Sequence, residues 1–438
     1  MSQPDHDDRR QNDVPHGTAD RDRSPSAAQQ PTPASPRPNT DYAEPDPQAP
    51  PVVPATSFVM PDVPDNWNHF TSYDGRRFSV RFSVVAILDY NAFSQDDESV
   101  KQVGEQENQW DLRTWRLMAR GRLKFAHPVD YFVSLEVKGE DHILEGDSKV
   151  GFIDLEVSTQ AWKLGTLHYG KIKEPIVYEM VGDAANLQQQ ERALSPFFVS
   201  RGIGVRLSRP FAHDSMTYTV GWFNDWYVQG QRFSESGNDF VARLTAVPYW
   251  KNDGSNYAHI GIAGRYIGAD AGTLRFRGRP ENNVTSYYAD SGSMTASHAN
   301  EVGIEGLWNR GAFLIAGDAV RASVDAQALE NPQFWGAYVV ASVVLTGEHR
   351  PYDKTVGYAR RIMPRGKWGA WEVVGRYSHV DVADRKIDGG VFNRETVGLT
   401  WWATRRWRLS VDYGFIDLDR TGTSGVTKAI HTRLQWVY

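Results

Sequence analysis

The chain has 438 residues, 40% of them AVILMFWYC, a mean hydropathy of −0.53 and no apolar run near the ~18 residues a membrane-spanning helix needs. Cysteine is absent, which excludes a disulfide framework, a thiolate metal site and a cysteine nucleophile. The net charge of −6 leaves no cationic excess, so no nucleic-acid partner is expected.

Residues 1–64 hold 14 of the 23 prolines and almost no large apolar residue before Val52. Such a stretch cannot bury enough surface to offset its ordering entropy, so it reads as a disordered Pro-rich tail ahead of one domain over 65–438. No apolar signal core follows Met1. Export would require a signal removed from this chain or lying upstream; otherwise the export reading fails.

From Arg76 the texture becomes one unit repeated: about ten residues of period two, then a turn. Arg77–Tyr90 sets Phe78, Val80, Phe82, Val84, Ala86 and Leu88 against Arg77, Ser79, Arg81 and Ser83. Further runs fall at Leu117–Phe125, Tyr131–Gly139, Val150–Ser158, Trp162–Lys171, Gly202–Ser208, Met216–Trp222, Phe240–Tyr249 and Tyr257–Ile267. They continue at Glu301–Trp308, Ala312–Arg321, Trp335–Leu345, Val356–Arg361, Ala370–Asp381, Arg394–Trp402, Arg406–Phe415 and Lys428–Tyr438. That makes 17 segments, where a barrel with both ends on one side needs an even number; 16 is expected, with one segment surplus. Helical periodicity is scarce and points only to Asp183–Leu194.

Aromatics gather at segment ends, among them Tyr90, Trp110, Trp222, Trp250, Trp308, Trp401, Trp407 and Trp436. Trp and Tyr favour the level where a bilayer meets water, so the expected fold is an all-β transmembrane antiparallel barrel. A soluble β-sandwich with many core aromatics is the alternative.

Four stretches resemble the phosphate- and pyrophosphate-selective porins of the bacterial outer membrane. They are Gly170-Lys171-Ile172-Lys173-Glu174-Pro175; Glu191-Arg192-Ala193-Leu194 with Ser200-Arg201-Gly202-Ile203-Gly204-Val205; Leu345-Thr346-Gly347-Glu348-His349-Arg350-Pro351-Tyr352; and Gly369-Ala370-Trp371-Glu372 with Arg376-Tyr377-Ser378. The resemblance runs from Arg76 to Tyr438; the proline-rich tail is a departure from it. It implies a sixteen-stranded trimeric barrel in the outer membrane, narrowed by a loop folded into each pore. It also implies passive passage of phosphate or pyrophosphate amid membrane lipid and lipopolysaccharide.

With the apolar parity facing lipid, the cations of the other parity face the lumen, and a one-residue slip would bury them all in hydrocarbon. The candidate anion-binding residues are Arg77, Arg81, Arg116, Arg120, Arg122, Lys171, Lys173, Arg192, Arg201, Arg206, Arg376 and Arg408. A guanidinium fork matches two phosphate oxygens and stays charged. Arg192 and Arg201 flank the expected inward loop, Asp183–Ser200. Acids on the same faces, Glu372 beside Arg376, Asp412 beside Arg408 and Glu136 near Lys138, keep open the reading that many of these cations are structural ion pairs. The alternative readings are that Arg201 restarts a strand and pairs with a nearby carboxylate, and that the two lysines are solvated rim charges.

No H-E-x-x-H, G-x-S-x-G or phosphate-loop sequence occurs, so neither an enzyme nor a cofactor is expected. Asp96-Asp97-Glu98 is read as a solvated loop with a lesser prospect of divalent-cation binding. The expected function is an arginine-lined anion porin favouring phosphate or polyphosphate. The rivals are a broad or differently selective porin of the same fold, an outer-membrane barrel enzyme and a soluble β-rich binding protein.

Overall fold

The structure, a computed structural model, describes residues 71–137, 151–224, 236–269, 271–420 and 422–438. Sixteen antiparallel strands form the wall. The first nine are β1 (Phe78–Gln95), β2 (Gln109–Leu123), β3 (Val129–Glu136), β4 (Gly151–Gln160), β5 (Thr166–Ile172), β6 (Gly202–Phe211), β7 (Met216–Phe223), β8 (Ser236–Lys251) and β9 (Asn256–Ala269). The rest are β10 (His298–Arg310), β11 (Phe313–Asp325), β12 (Gln333–Val344), β13 (Ala370–Asp384), β14 (Ile387–Trp402), β15 (Trp407–Asp419) and β16 (Ser424–Val437). Each pairs with its sequence neighbours, and β16 returns to β1 from Val85↔Val437 to Gln95↔Thr427, closing the ring without an edge. Residues Ser72–Asp74 pair with Ser79–Arg81 on that same side of β1, taking up the edge where Tyr438 ends.

Period-two burial follows the sequence alternation. Phe82, Leu117, Leu155, Ile262, Ile304, Val339, Val397 and Val411 are exposed on the outer face, whereas Asp89, Asp154, Glu305, Arg394 and Arg433 are buried on the inner one. Two aromatic belts ring the outside. Tyr90–Trp110 and Trp222–Phe240 meet near one end, and Trp308–Phe313, Trp371–Trp401 and Trp407–Trp436 near the other. We call the end carrying Thr71, Tyr438 and most short hairpins the turn end, and the opposite one the loop end.

Val356–Arg361 is the surplus segment. It belongs to 345–369, a long turn-end connection between β12 and β13 whose only regular structure is the two-residue pairing of Tyr352–Asp353 with Tyr358–Ala359. Adjacent Arg360 and Arg361 explain why: in a wall strand one of them would face lipid. Asp183–Leu194 is not a helix either; the local turns are Tyr178–Val181, Ala184–Asn186 and Ser195–Phe197. Beyond the single turn Ala184–Asn186, backbone there bonds to wall side chains.

Three connections pack inside the barrel: 173–201, 271–297 and 345–369. They bring their own apolar core against the inner faces of the longer strands. Phe197 meets Phe276, which meets Phe334 on β12; Tyr178 meets Tyr358 at 4.7 Å between ring centroids. Gly182 permits the closest approach, since a Cβ there would lie 2.0 Å from the Tyr358 ring. The filled half is thus the β8–β16 side, while β3–β7, of seven to ten residues each, form the shorter wall.

Candidate functional site

The inward segment 173–201 leaves β5, is fixed along the far wall and returns into β6. Glu174 meets Arg265 on β9 at 3.0 Å. The Tyr178 amide donates to Asp318 on β11 at 2.8 Å, and Glu179 pairs with Arg376 on β13 at 2.9 Å. Arg408 on β15 donates to the carbonyls of Leu187 and Gln188, and Arg433 on β16 to that of Gln190. Glu191 is gripped from both sides, by Arg433 at 2.8 Å and by Arg113 on β2 at 2.6 Å. Arg201 closes the circuit on Asp154 of β4 at 3.0 Å. Buried carbonyls that no helix satisfies are met by guanidinium groups, which carry enough donors for several at once.

The other inward segments lean on this one. Glu281 takes Arg376 and Arg394, with Ser378 donating to its second oxygen. Arg350 binds Glu372 and the carbonyls of Asn186 and Arg360, and Arg243 donates to those of Val356 and Gly357. The pairs suggested along single strands therefore do not form. Residues four apart on a strand stand ~13 Å apart, so Glu372 reaches Arg350 and Arg376 reaches Glu179 and Glu281 instead. Glu136 pairs with Arg116 across the ladder; Lys138 lies outside the described residues.

On the side these segments leave, cations converge. Arg116 reaches Glu136 by one nitrogen at 3.3 Å while its Nε finds no acceptor. Arg120 lies over Phe132, within electrostatic reach of Arg81, Asp183 and Arg360. Arg206 donates to the Lys173 carbonyl and stands 4.0 Å from Glu156. Arg192 donates to the Glu179 and Gly182 carbonyls. Arg361 is buried, and Asp183 is the acid that acts on it. Arg81 is half-buried and forms no ion pair among the described residues.

Lys173 and Glu191 are among the charges of the inward segment displaced from their usual ranges. Burial pushes the Lys173 ammonium down to about 7, with Asp183 at 2.7 Å opposing and Arg201 and Arg192 reinforcing the fall. Burial alone would raise the Glu191 carboxyl, but Arg113 and Arg433 outweigh it and hold it far below the ordinary carboxylate range.

Of the sequence candidates, Arg81, Arg116, Arg120, Lys173, Arg192, Arg201 and Arg206 stand near one another on this side. Lys171 is buried and donates to the Phe152 carbonyl. Arg376 and Arg408 lie behind the inward segments as anchors. Arg122 forms a bidentate pair with Asp130 near the turn end, and Arg77 stands exposed on the turn before β1. Arg113, Arg350, Arg360 and Arg361 were not among the candidates, although Arg350 lies in one of the resembling stretches and Arg360 and Arg361 in the surplus segment. The adjacent pair 360–361 was the available signal, being incompatible with a lipid-facing strand.

Residues 86–438 match the family model described as phosphate-selective porin O and P. Porin O of Pseudomonas aeruginosa is 24% identical over 221 residues, 43% of this chain and 50% of that one. An uncharacterized protein of Caulobacter vibrioides is 23% identical over 336 residues, 70% of this chain and 62% of its own. The chain therefore spans about half to three-fifths of these curated relatives. Among solved structures, an anion-selective porin from Comamonas acidovorans aligns with a TM-score of 0.53 at 13% identity, covering 82% of this chain and all of that one. The outer membrane channel DcaP of Acinetobacter baumannii aligns with a TM-score of 0.54 at 10% identity, covering 84% and 100%. These likenesses establish the sixteen-stranded porin fold.

Proposed function

We propose an anion-preferring pore for this chain, which belongs to the phosphate-selective porin O and P family and is a channel of the bacterial outer membrane. Phosphate and its condensed forms are the favoured solutes, moving down their gradients. The observation that carries this reading is the convergence of Arg81, Arg116, Arg120, Arg192, Arg206 and Arg361 with Lys173 on the unfilled side of the lumen. A low-dielectric passage lined by such groups concentrates anions and substitutes for part of their hydration. Guanidinium forks suit a doubly charged tetrahedral oxyanion better than a halide. Glu136, Asp154, Glu156 and Asp183 divide the cationic field into modest steps, so that an ion can leave as well as enter. The family's description favours the same solutes, and the resemblance read from the sequence implies a trimeric assembly.

Planar-bilayer recordings test this directly. In a potassium chloride gradient the reversal potential takes the sign of anion preference, and added phosphate blocks chloride current. Cation preference, or chloride current indifferent to phosphate, would favour the broad-specificity porin instead.

A further inference from the structure

The two ends of the barrel carry opposite charge. At the loop end, 96–108 holds five carboxylates against Lys101, and its helix Asp97–Val103 stands at the rim with Asp97, Glu105 and Glu107 exposed. Strand ends and turns on the same side add Asp325, Glu330, Asp384, Asp388 and Asp419 against Arg385, Lys386 and Arg420, leaving that end acidic. At the turn end the balance reverses. The segment 345–369 carries six cations against Glu348 and Asp353, with Arg365 and Lys367 exposed, and Arg76, Arg77 and Arg405 stand on neighbouring turns. An ion crossing the pore thus passes from an acidic mouth, through the arginine-rich passage, to a basic mouth.

We infer that the pore rectifies: it passes more current when the loop-end side is positive than when it is negative. That polarity drives cations in through the acidic mouth and anions in through the basic one. Each mouth admits the ion it concentrates, both ions accumulate between the mouths, and resistance falls. The opposite polarity draws each ion from the mouth that repels it, so the interior is depleted. The effect needs fields that overlap across the opening. It is therefore strong where the screening length is ~10 Å, at 0.1 M salt, and fades where it is ~3 Å, at 1 M. This inference rests on the chain being an ion-passing pore, but not on its preference for anions.

The test is single-channel recording in symmetric potassium chloride on channels of known orientation. Because the chain has no cysteine, Thr423→Cys at the loop end, reacted with a membrane-impermeant thiol reagent from one side, reports which way each channel sits. At 0.1 M the loop-end-positive conductance should exceed its opposite by about two-fold, falling close to parity at 1 M. Two variants on exposed residues outside the strands should each reduce the asymmetry: Asp97→Asn/Glu105→Gln/Glu107→Gln and Arg76→Gln/Arg77→Gln/Arg365→Gln/Lys367→Gln. A linear current–voltage relation at 0.1 M, an asymmetry of opposite sign, or one that neither variant reduces would overturn the inference. Reversal potentials on the same channels report anion preference separately, so the two readings can fail independently.

Discussion

Arg350 donates to both oxygens of Glu372, at 2.9 and 2.8 Å, and spends its remaining nitrogen on the carbonyls of Asn186 and Arg360. Trp402 donates to the same carboxylate at 3.0 Å, and the guanidinium groups of Arg350 and Arg408 both lie over its ring. One buried guanidinium therefore joins a wall strand to two of the three inward segments. Removing one partner of such a pair strands the other charge, at a cost of about 3–5 kcal/mol. Arg350→Ala should lower the unfolding midpoint in detergent and raise unitary conductance as 173–201 and 345–369 loosen. A variant with wild-type conductance would show that these segments are held elsewhere.

Arg120 and Arg361 answer to Asp183 across the passage. Arg120→Gln or Arg361→Gln should weaken phosphate block of chloride current about ten-fold, the loss of one charge-assisted hydrogen bond of roughly 1.5 kcal/mol. Arg376→Gln, behind the inward segments, should instead act on stability. Titrating the block in all three variants separates lining from anchoring.

Lys173 is charged below about pH 7 and increasingly neutral above it. Anion current should accordingly decline as pH rises from 6 to 8, since the proton lost takes one positive charge from the passage. Lys173→Arg retains the charge throughout and should flatten that profile; a decline unchanged in the variant would assign it to another group.

Val397 lies on the outer face of β14, more than half exposed. Val397→Arg should destabilise the barrel in lipid by about 2–4 kcal/mol, the cost of a cation near the bilayer midplane. Refolding yield into vesicles measures it. Arginine at an exposed loop site such as Gln327 should have little effect.

Much of the wall was legible in sequence because period two is a local signal: Phe78 to Leu88 against Arg77 to Ser83 announces a strand without knowledge of its neighbours. Segment ends were less legible. Glu301–Trp308 extends to His298–Arg310, because hydrogen-bonded ladders continue past the apolar band into water. The site was legible only in part. Parity assigns Arg376 and Arg120 the same side of the wall, but nothing local distinguishes a cation covered by Glu179 and Glu281 from one beside an opening. That difference depends on where 173–201 and 271–297 travel, which is decided by contacts between residues far apart in the chain.

The pairing of β16 with β1 also constrains how the molecule is made. β1 precedes the other fifteen strands in the chain and β16 follows them, so no ring can shut until the fourteen-residue strand Ser424–Val437 has been delivered. Until then β1 offers a bare ladder from Val85 to Gln95 that only the final strand matches in register. Premature termination would leave two raw margins able to recruit foreign strands, so truncated chains should be lost to clumping or proteolysis before reaching a membrane.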